Sequence, residues 1–104
     1  MAEYRLTPAA ETDLEGIWRY TARQWDVEQA NRYIDLMTKA FAQLAEQPKT
    51  ASSCDDIRPG YRRRNVERHM IYFRVKAYGI AIVRILHDRM DTSQHLKVSA
   101  PAKT

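Results

Sequence analysis

From residue 3 the chain alternates, with Tyr4 and Leu6 apolar against Glu3 and Arg5, which is the period-two pattern of a short strand covered on one face. The period then lengthens. Thr7 offers a hydroxyl to orphan amides and Pro8 suits a first helical position, so a helix is predicted to start at Pro8 with Glu11, Asp13 and Glu15 near its positive end. Its apolar stripe reads Leu14, Ile17, Trp18, Thr21 and Trp25. Asp26, with Gln29 three residues on, repeats a start signal as an acidic variant of the capping box. The stripe that follows is Ala30, Tyr33, Ile34, Met37, Phe41, Leu44 and Ala45, and it ends near Gln47, which Pro48 pushes out of helical geometry. Two such helices joined at Trp25–Asp26 fold as an antiparallel hairpin. Trp18, Trp25, Tyr33 and Phe41 fall at helical spacing and are read as core packing rather than as a base-stacking platform.

Residues 48–60 read as a polar loop ending in Arg-Pro-Gly-Tyr, where Pro59 and Gly60 suit the two central positions of a type II turn. Beyond it the period returns to two, and YRRRNV, HMIYFRV and IAIVRIL are predicted as three strands, the last two joined by a short turn through Gly79. Alternation separates Arg62 and Arg64 from Arg63. It also sets Ile71, Phe73 and Val75 against Met70, Tyr72 and Arg74, and Ala81, Val83 and Ile85 against Ile80, Ile82, Arg84 and Leu86. One sheet face is expected to cover the helical hairpin. The other, with Met70, Tyr72, Ile82 and Leu86 beside Arg74 and Arg84, is expected to stay open as a protein interface, unless residues 88–104 fold across it.

With 104 residues the chain is read as one domain with one core, residues 1–96, followed by a frayed tail at 97–104. No apolar run approaches a membrane span, and MAEYRLTP lacks the basic and apolar regions of a secretory leader, so a cytoplasmic location is expected. Cys54 stands alone, which leaves no disulfide or zinc framework, and it is read as a small residue in a polar loop. The net charge of +4 conceals a division: residues 1–56 carry ten acids against six bases, and residues 57–104 carry eleven bases against three acids. That asymmetry points to an anionic partner for the second half.

Catalytic devices are scarce. The histidines lack metal-ligand spacing, the three glycines form no phosphate cradle, and no serine sits in a nucleophile elbow, so neither metal nor cofactor is expected. Metal-free RNA cleavage has its ingredients, with Arg63, Arg74, Arg84 and Arg89 for charge and His69, His87 or His95 for proton transfer. A histidine beside a strand is more often simply hydrogen-bonded.

The stretches YRLTPAAETDLEGIWRYTARQWDVEQANRYI, CDDIRPGYRRRNVERHMIYFRV and IVRILHDRMDTSQHL together resemble the ParE toxins of bacterial type II toxin-antitoxin systems, within the RelE/ParE superfamily. The resemblance runs from about residue 3 to residue 96. It implies an α+β fold of N-terminal strand, antiparallel helical hairpin and three-stranded antiparallel β unit. It also implies a toxin that poisons DNA gyrase and is held inactive by a ParD-like ribbon-helix-helix antitoxin, whose acidic segment wraps it and through which alone it meets DNA. The residues expected to meet that segment are Arg58, Tyr61, Arg63, Tyr72, Arg74, Arg84 and Leu86. The superfamily also contains ribosome-dependent messenger-RNA endoribonucleases, and Arg89 and His95 fall about where such a relative keeps its arginine and acid-base residue. Against that reading, residues 49–57 carry Asp55 and Asp56 where a cleaving relative concentrates positive charge. A degenerate toxin that only binds its antitoxin and helps repress their operon is the third reading.

Overall fold

The computed structural model describes residues 2–55 and 58–88, so the expectations placed on Arg89, His95 and the tail at 97–104 lie outside the described residues. Strand β1 (Glu3–Leu6) leads into helix α1 (Pro8–Gln24) and helix α2 (Val27–Glu46), and a single 3-10 turn at Pro48–Thr50 follows. Strands β2 (Ser52–Ser53), β3 (Tyr61–Val66), β4 (His69–Lys76) and β5 (Gly79–His87) complete one five-stranded sheet in the order β1-β5-β4-β3-β2. The α+β reading holds, with the three later strands antiparallel as expected. Two features go beyond it: β1 lies parallel against β5 at the sheet's end, and the loop after α2 contributes the short strand β2.

Both helix starts follow the sequence signals. The Thr7 hydroxyl accepts from the Ala10 amide at 3.1 Å and donates to the Val83 carbonyl at 2.8 Å, so one side chain caps α1 and ties it to β5. Asp26 Oδ1 accepts from the Gln29 amide at 2.7 Å. Met37, Phe41 and Leu44 of α2 are fully buried against Ile71, Phe73, Ile80 and Ile82 of the sheet, with Ile17 of α1 completing the main core. Tyr4 packs its ring on Phe41 at 5.3 Å, which fastens β1 under the hairpin. Trp25 corrects the predicted stripe. It occupies the C-cap of α1, where the backbone has left helical dihedrals, so the 3.6-residue period no longer aims its side chain inward and it is 75% exposed. Trp18 stays at the rim, its indole Nε1 donating to Asn31 Oδ1 at 2.9 Å across the hairpin.

The β-strand faces also need correction, for one local reason. Along β4 and β5 the register steps from Phe73 opposite Ile82 to Tyr72 opposite Arg84, which leaves Val83 as an extra residue in β5. Such a bulge shifts the alternation by one. Ile80 and Ile82 therefore lie in the helix-covered core with Ile85, while Leu86 and Val83 pack on the other side of the sheet. Ile82 does not belong to the far face, and Ile85 takes the core position that strict alternation from Ile82 denies it.

Candidate partner-binding face

The far side of the sheet is not an open apolar surface. Tyr61, Tyr72 and Leu86 form a second small core with Cys54, and Tyr72 and Leu86 retain only 1% and 2% of their accessible surface. Cys54, expected in a polar loop, is fully buried among them. The backbone explains how it gets there: the Cys54 amide donates to the Tyr61 carbonyl, and the Arg58 amide donates to the Cys54 carbonyl, both at 3.0 Å. The predicted turn closes this arrangement, with the Tyr61 amide donating to the Arg58 carbonyl at 3.2 Å and Gly60 at a φ of 83°. Asp55 Oδ1 accepts from the Gly60 amide at 2.8 Å and holds the turn down.

Over this second core lie guanidinium groups. Residues directly opposite in an antiparallel pair share a face, and Tyr61 faces Arg74 while Arg63 faces Tyr72, so Arg63 and Arg74 stand on the Tyr61–Tyr72 side. The guanidinium carbons of Arg58 and Arg74 lie 5.9 and 5.7 Å from the Tyr61 ring centroid, within cation–π range. Among the described residues no carboxylate forms an ion pair with Arg58, Arg63 or Arg74. Arg62 and Arg64 stand opposite Phe73 and Ile71 on the helix side, where Arg62 donates to the Ala51 carbonyl and Arg64 lines a hollow beside Gln43 and Glu46 of α2. The division of the three consecutive arginines expected from alternation is therefore observed.

Arg84 stands apart from this cluster. Its Nε and Nη2 donate to the two Asp13 carboxylate oxygens at 2.7 and 2.9 Å, and Asp13 Oδ2 also accepts from the Ile85 amide at 2.9 Å. The site lies where β5 runs past the end of β1, whose pairing stops at Ile82, so a carboxylate from α1 takes over the ladder position. The hydrogen bonds that Arg84 donates to Asp13 hold its pKa above the ordinary value. Of the seven residues expected to meet a partner, the fold thus gathers Arg58, Arg63 and Arg74 around the largely buried Tyr61 ring. Tyr72 and Leu86 lie beneath them as support, and Arg84 is engaged with α1.

A third constellation joins His69 and His87, read from the sequence as proton-transfer candidates, to Tyr33, which reads in sequence only as core packing. His69 and His87 stand opposite each other in the β4–β5 register with rings edge to face at 5.3 Å, and Tyr33 Oη lies 2.7 Å from His69 Nδ1. Tyr33 Oη also lies 3.3 Å from the Val66 carbonyl, to which it can donate, and the direction of its contact with His69 follows the histidine tautomer. The Arg68 amide donates to the same oxygen at 3.3 Å, so one phenol joins α2 to the β3–β4 turn. Burial, then the neighbouring His87, lowers the His69 pKa to about 4, which keeps the ring neutral. Only the separation of Tyr33 from His69 by 36 positions hid this contact, because both residues sit on ordinary amphipathic periods.

A family model described as the ParE toxin of the type II toxin-antitoxin system, parDE, matches residues 4–92. A protein named Toxin ParE1 from Mycobacterium tuberculosis is 41% identical over 96 residues, covering 91% of this chain and 98% of the relative. Toxin ParE1 of Caulobacter vibrioides is 35% identical, covering 92% of this chain and 99% of its own length, and Toxin ParE of Escherichia coli is 37% identical, covering 92% and 94%. Among solved structures, a chain of the chromosomal ParDE TA system from P. aeruginosa shares the fold, with a TM-score of 0.72 and 24% identity over 84% of this chain and 96% of that one.

Proposed function

This chain belongs to the ParE toxin family of type II toxin-antitoxin systems, and from that premise we propose that it inhibits DNA gyrase without chemistry of its own and is neutralised by a ParD-like ribbon-helix-helix antitoxin. The observation that carries the reading is the arginine face. Arg58 and Arg74 flank Tyr61, Arg63 stands two residues along β3 opposite Tyr72, and no described carboxylate pairs with any of them. Three like charges held together on the sheet and the turn that enters it repel one another, and an acidic segment laid across them relieves that repulsion with charge-assisted hydrogen bonds. The antitoxin's acidic tail is the segment that fits. DNA is met only through the antitoxin, and the site of action is the cytoplasm, where the replication machinery works.

Purified toxin added to gyrase and relaxed plasmid tests the reading. Loss of supercoiling, restored by the antitoxin encoded beside the toxin, is the expected result. Unchanged supercoiling at molar excess, together with cleaved messenger RNA in cells expressing the toxin, transfers the function to an endoribonuclease. Normal growth on induction without antitoxin leaves only the role of antitoxin binder and co-repressor.

A further inference from the structure

Strand β1 is the terminal strand of the sheet, and among the described residues nothing pairs with its outer edge. The Glu3 amide donates to the Tyr78 carbonyl and the Thr7 amide to the Ile82 carbonyl, at 2.8 and 3.0 Å. In a parallel ladder this fixes the phase: residues 3, 5 and 7 turn their backbone groups toward β5, and Ala2, Tyr4 and Leu6 turn theirs outward. The outward edge is thus a row of unsatisfied strand donors and acceptors, the template on which another strand adds. On the same stretch the side chains read Glu3-Tyr4-Arg5, acid and base placed symmetrically about a tyrosine.

We propose that the outer edge of β1 pairs antiparallel with the β1 of a second copy of this chain, centred on Tyr4, so that the two five-stranded sheets become one. Two independent features select this register. The first is hydrogen bonding: centring on Tyr4 sets Tyr4 opposite Tyr4 and Ala2 opposite Leu6, so every outward backbone group meets an outward group and about six hydrogen bonds form. The second is charge: Glu3 then stands opposite Arg5 of the second copy and Arg5 opposite its Glu3, in non-hydrogen-bonded positions where side chains approach most closely. Both side chains are more than half exposed, and within one copy they already pair at 2.9 Å, so the join assembles an alternating ring of four charges. A shift of two residues would place Arg5 opposite Arg5 and lose the ring.

Beside Leu6 the surface carries a shallow apolar hollow lined by Leu14, Trp18 and Ile34. Pairing brings Ala2 of the second copy onto the face that Leu6 occupies, and so covers the β1 side of that hollow. The opposite end of the sheet does not offer the same join. There β2 is two residues long, and Arg62, Arg63 and Arg64 beside it would repel their counterparts. The contact is a two-fold, self-complementary one, which closes at two copies.

Sedimentation of the full chain from about 10 μM to about 1 mM spans the range of a weak interface. The expected result is a weight-average mass that rises from one chain to two. Arg5→Glu, which gathers four acids at the join, is expected to hold the mass at one chain throughout. The double variant Glu3→Arg/Arg5→Glu keeps the pairing with its signs exchanged and is expected to restore the dimer, which separates an edge contact from a folding defect. A monomeric wild type at every concentration, an Arg5→Glu chain that dimerises unchanged, or a natively folded double variant that stays monomeric would each overturn the proposal. Arg5→Glu weakening antitoxin binding while the wild type stays monomeric would give the edge to that partner instead.

Discussion

At the scale of single residues, Asp13 joins α1 to β5 through three hydrogen bonds. Its carboxylate accepts two bonds from Arg84 and one from the Ile85 amide, and both charged side chains are less than a fifth exposed. Asp13→Ala removes two bonds from a largely buried guanidinium and one from a backbone donor, and is expected to cost about 2–3 kcal/mol in urea unfolding. Arg84→Glu acts on the same lock by setting two carboxylates face to face, so it reads out stability before it reads out any partner. The acids at the start of α1 were legible in sequence as dipole partners, but the specific task of Asp13 was not, because its bonds span 71 and 72 positions. His69 is a second residue whose chemistry the fold decides. Its folded pKa of about 4 lies below the ordinary value of 6.5, chiefly through burial, with His87 opposing its charge and Asp88 and Asp13 partly offsetting that. A depressed histidine means that the unfolded chain binds the extra proton first, so its contribution to stability is complete above pH 6.5 and is lost as the pH falls toward about 4. Stability curves across that window are expected to slope downward with acid in the wild type, and to flatten in His69→Gln; parallel curves would remove His69 as the cause.

At the scale of elements, the two helices and three main strands were legible because their periods are long and their end signals local: Thr7-Pro8, Asp26, Gln47-Pro48 and Pro59-Gly60 each act within four residues. The bulge at Val83 was not, since nothing in IAIVRIL distinguishes a strand with an extra residue from one without. What places it is tertiary. Thr7 binds the Val83 carbonyl and Asp13 the Ile85 amide, so the start of α1 grips β5 at the irregularity and two residues beyond it. The entry of β5 is gripped as well. Gly79 has a φ of 145°, and a Cβ there would collide with the backbone of Glu3. Gly79→Ala is therefore expected to cost more than about 1 kcal/mol. The loss should concentrate at the β1–β5 seam, where faster hydrogen exchange of the Arg5 amide is the measurement; uniform loss of protection across the sheet would show that the seam is not the weak point.

At the scale of the whole molecule, the division between an acidic first half and a basic second half becomes spatial, since the helical hairpin comes from one half and the arginine face from the other. Sequence reading expected that face to combine apolar anchors with charge. The fold instead spends Tyr72 and Leu86, at 1% and 2% exposure, on an internal core under Arg58, Arg63 and Arg74. The difference decides how an acidic partner would be held. Apolar burial is nearly indifferent to salt, whereas exposed charge pairs weaken once the screening length of about 8 Å at physiological ionic strength becomes comparable with their separation. Binding of the antitoxin's acidic segment at this face is therefore expected to weaken steadily as salt is raised. Arg74→Glu is expected to cost about tenfold in affinity at physiological salt, through repulsion, with a penalty that shrinks as salt rises. Titration of the purified pair by calorimetry at several salt concentrations measures both quantities. A salt-independent affinity that Arg74→Glu leaves untouched would place the antitoxin on another surface, and the apolar hollow between Leu6, Leu14, Trp18 and Ile34 would then be the surface to mutate.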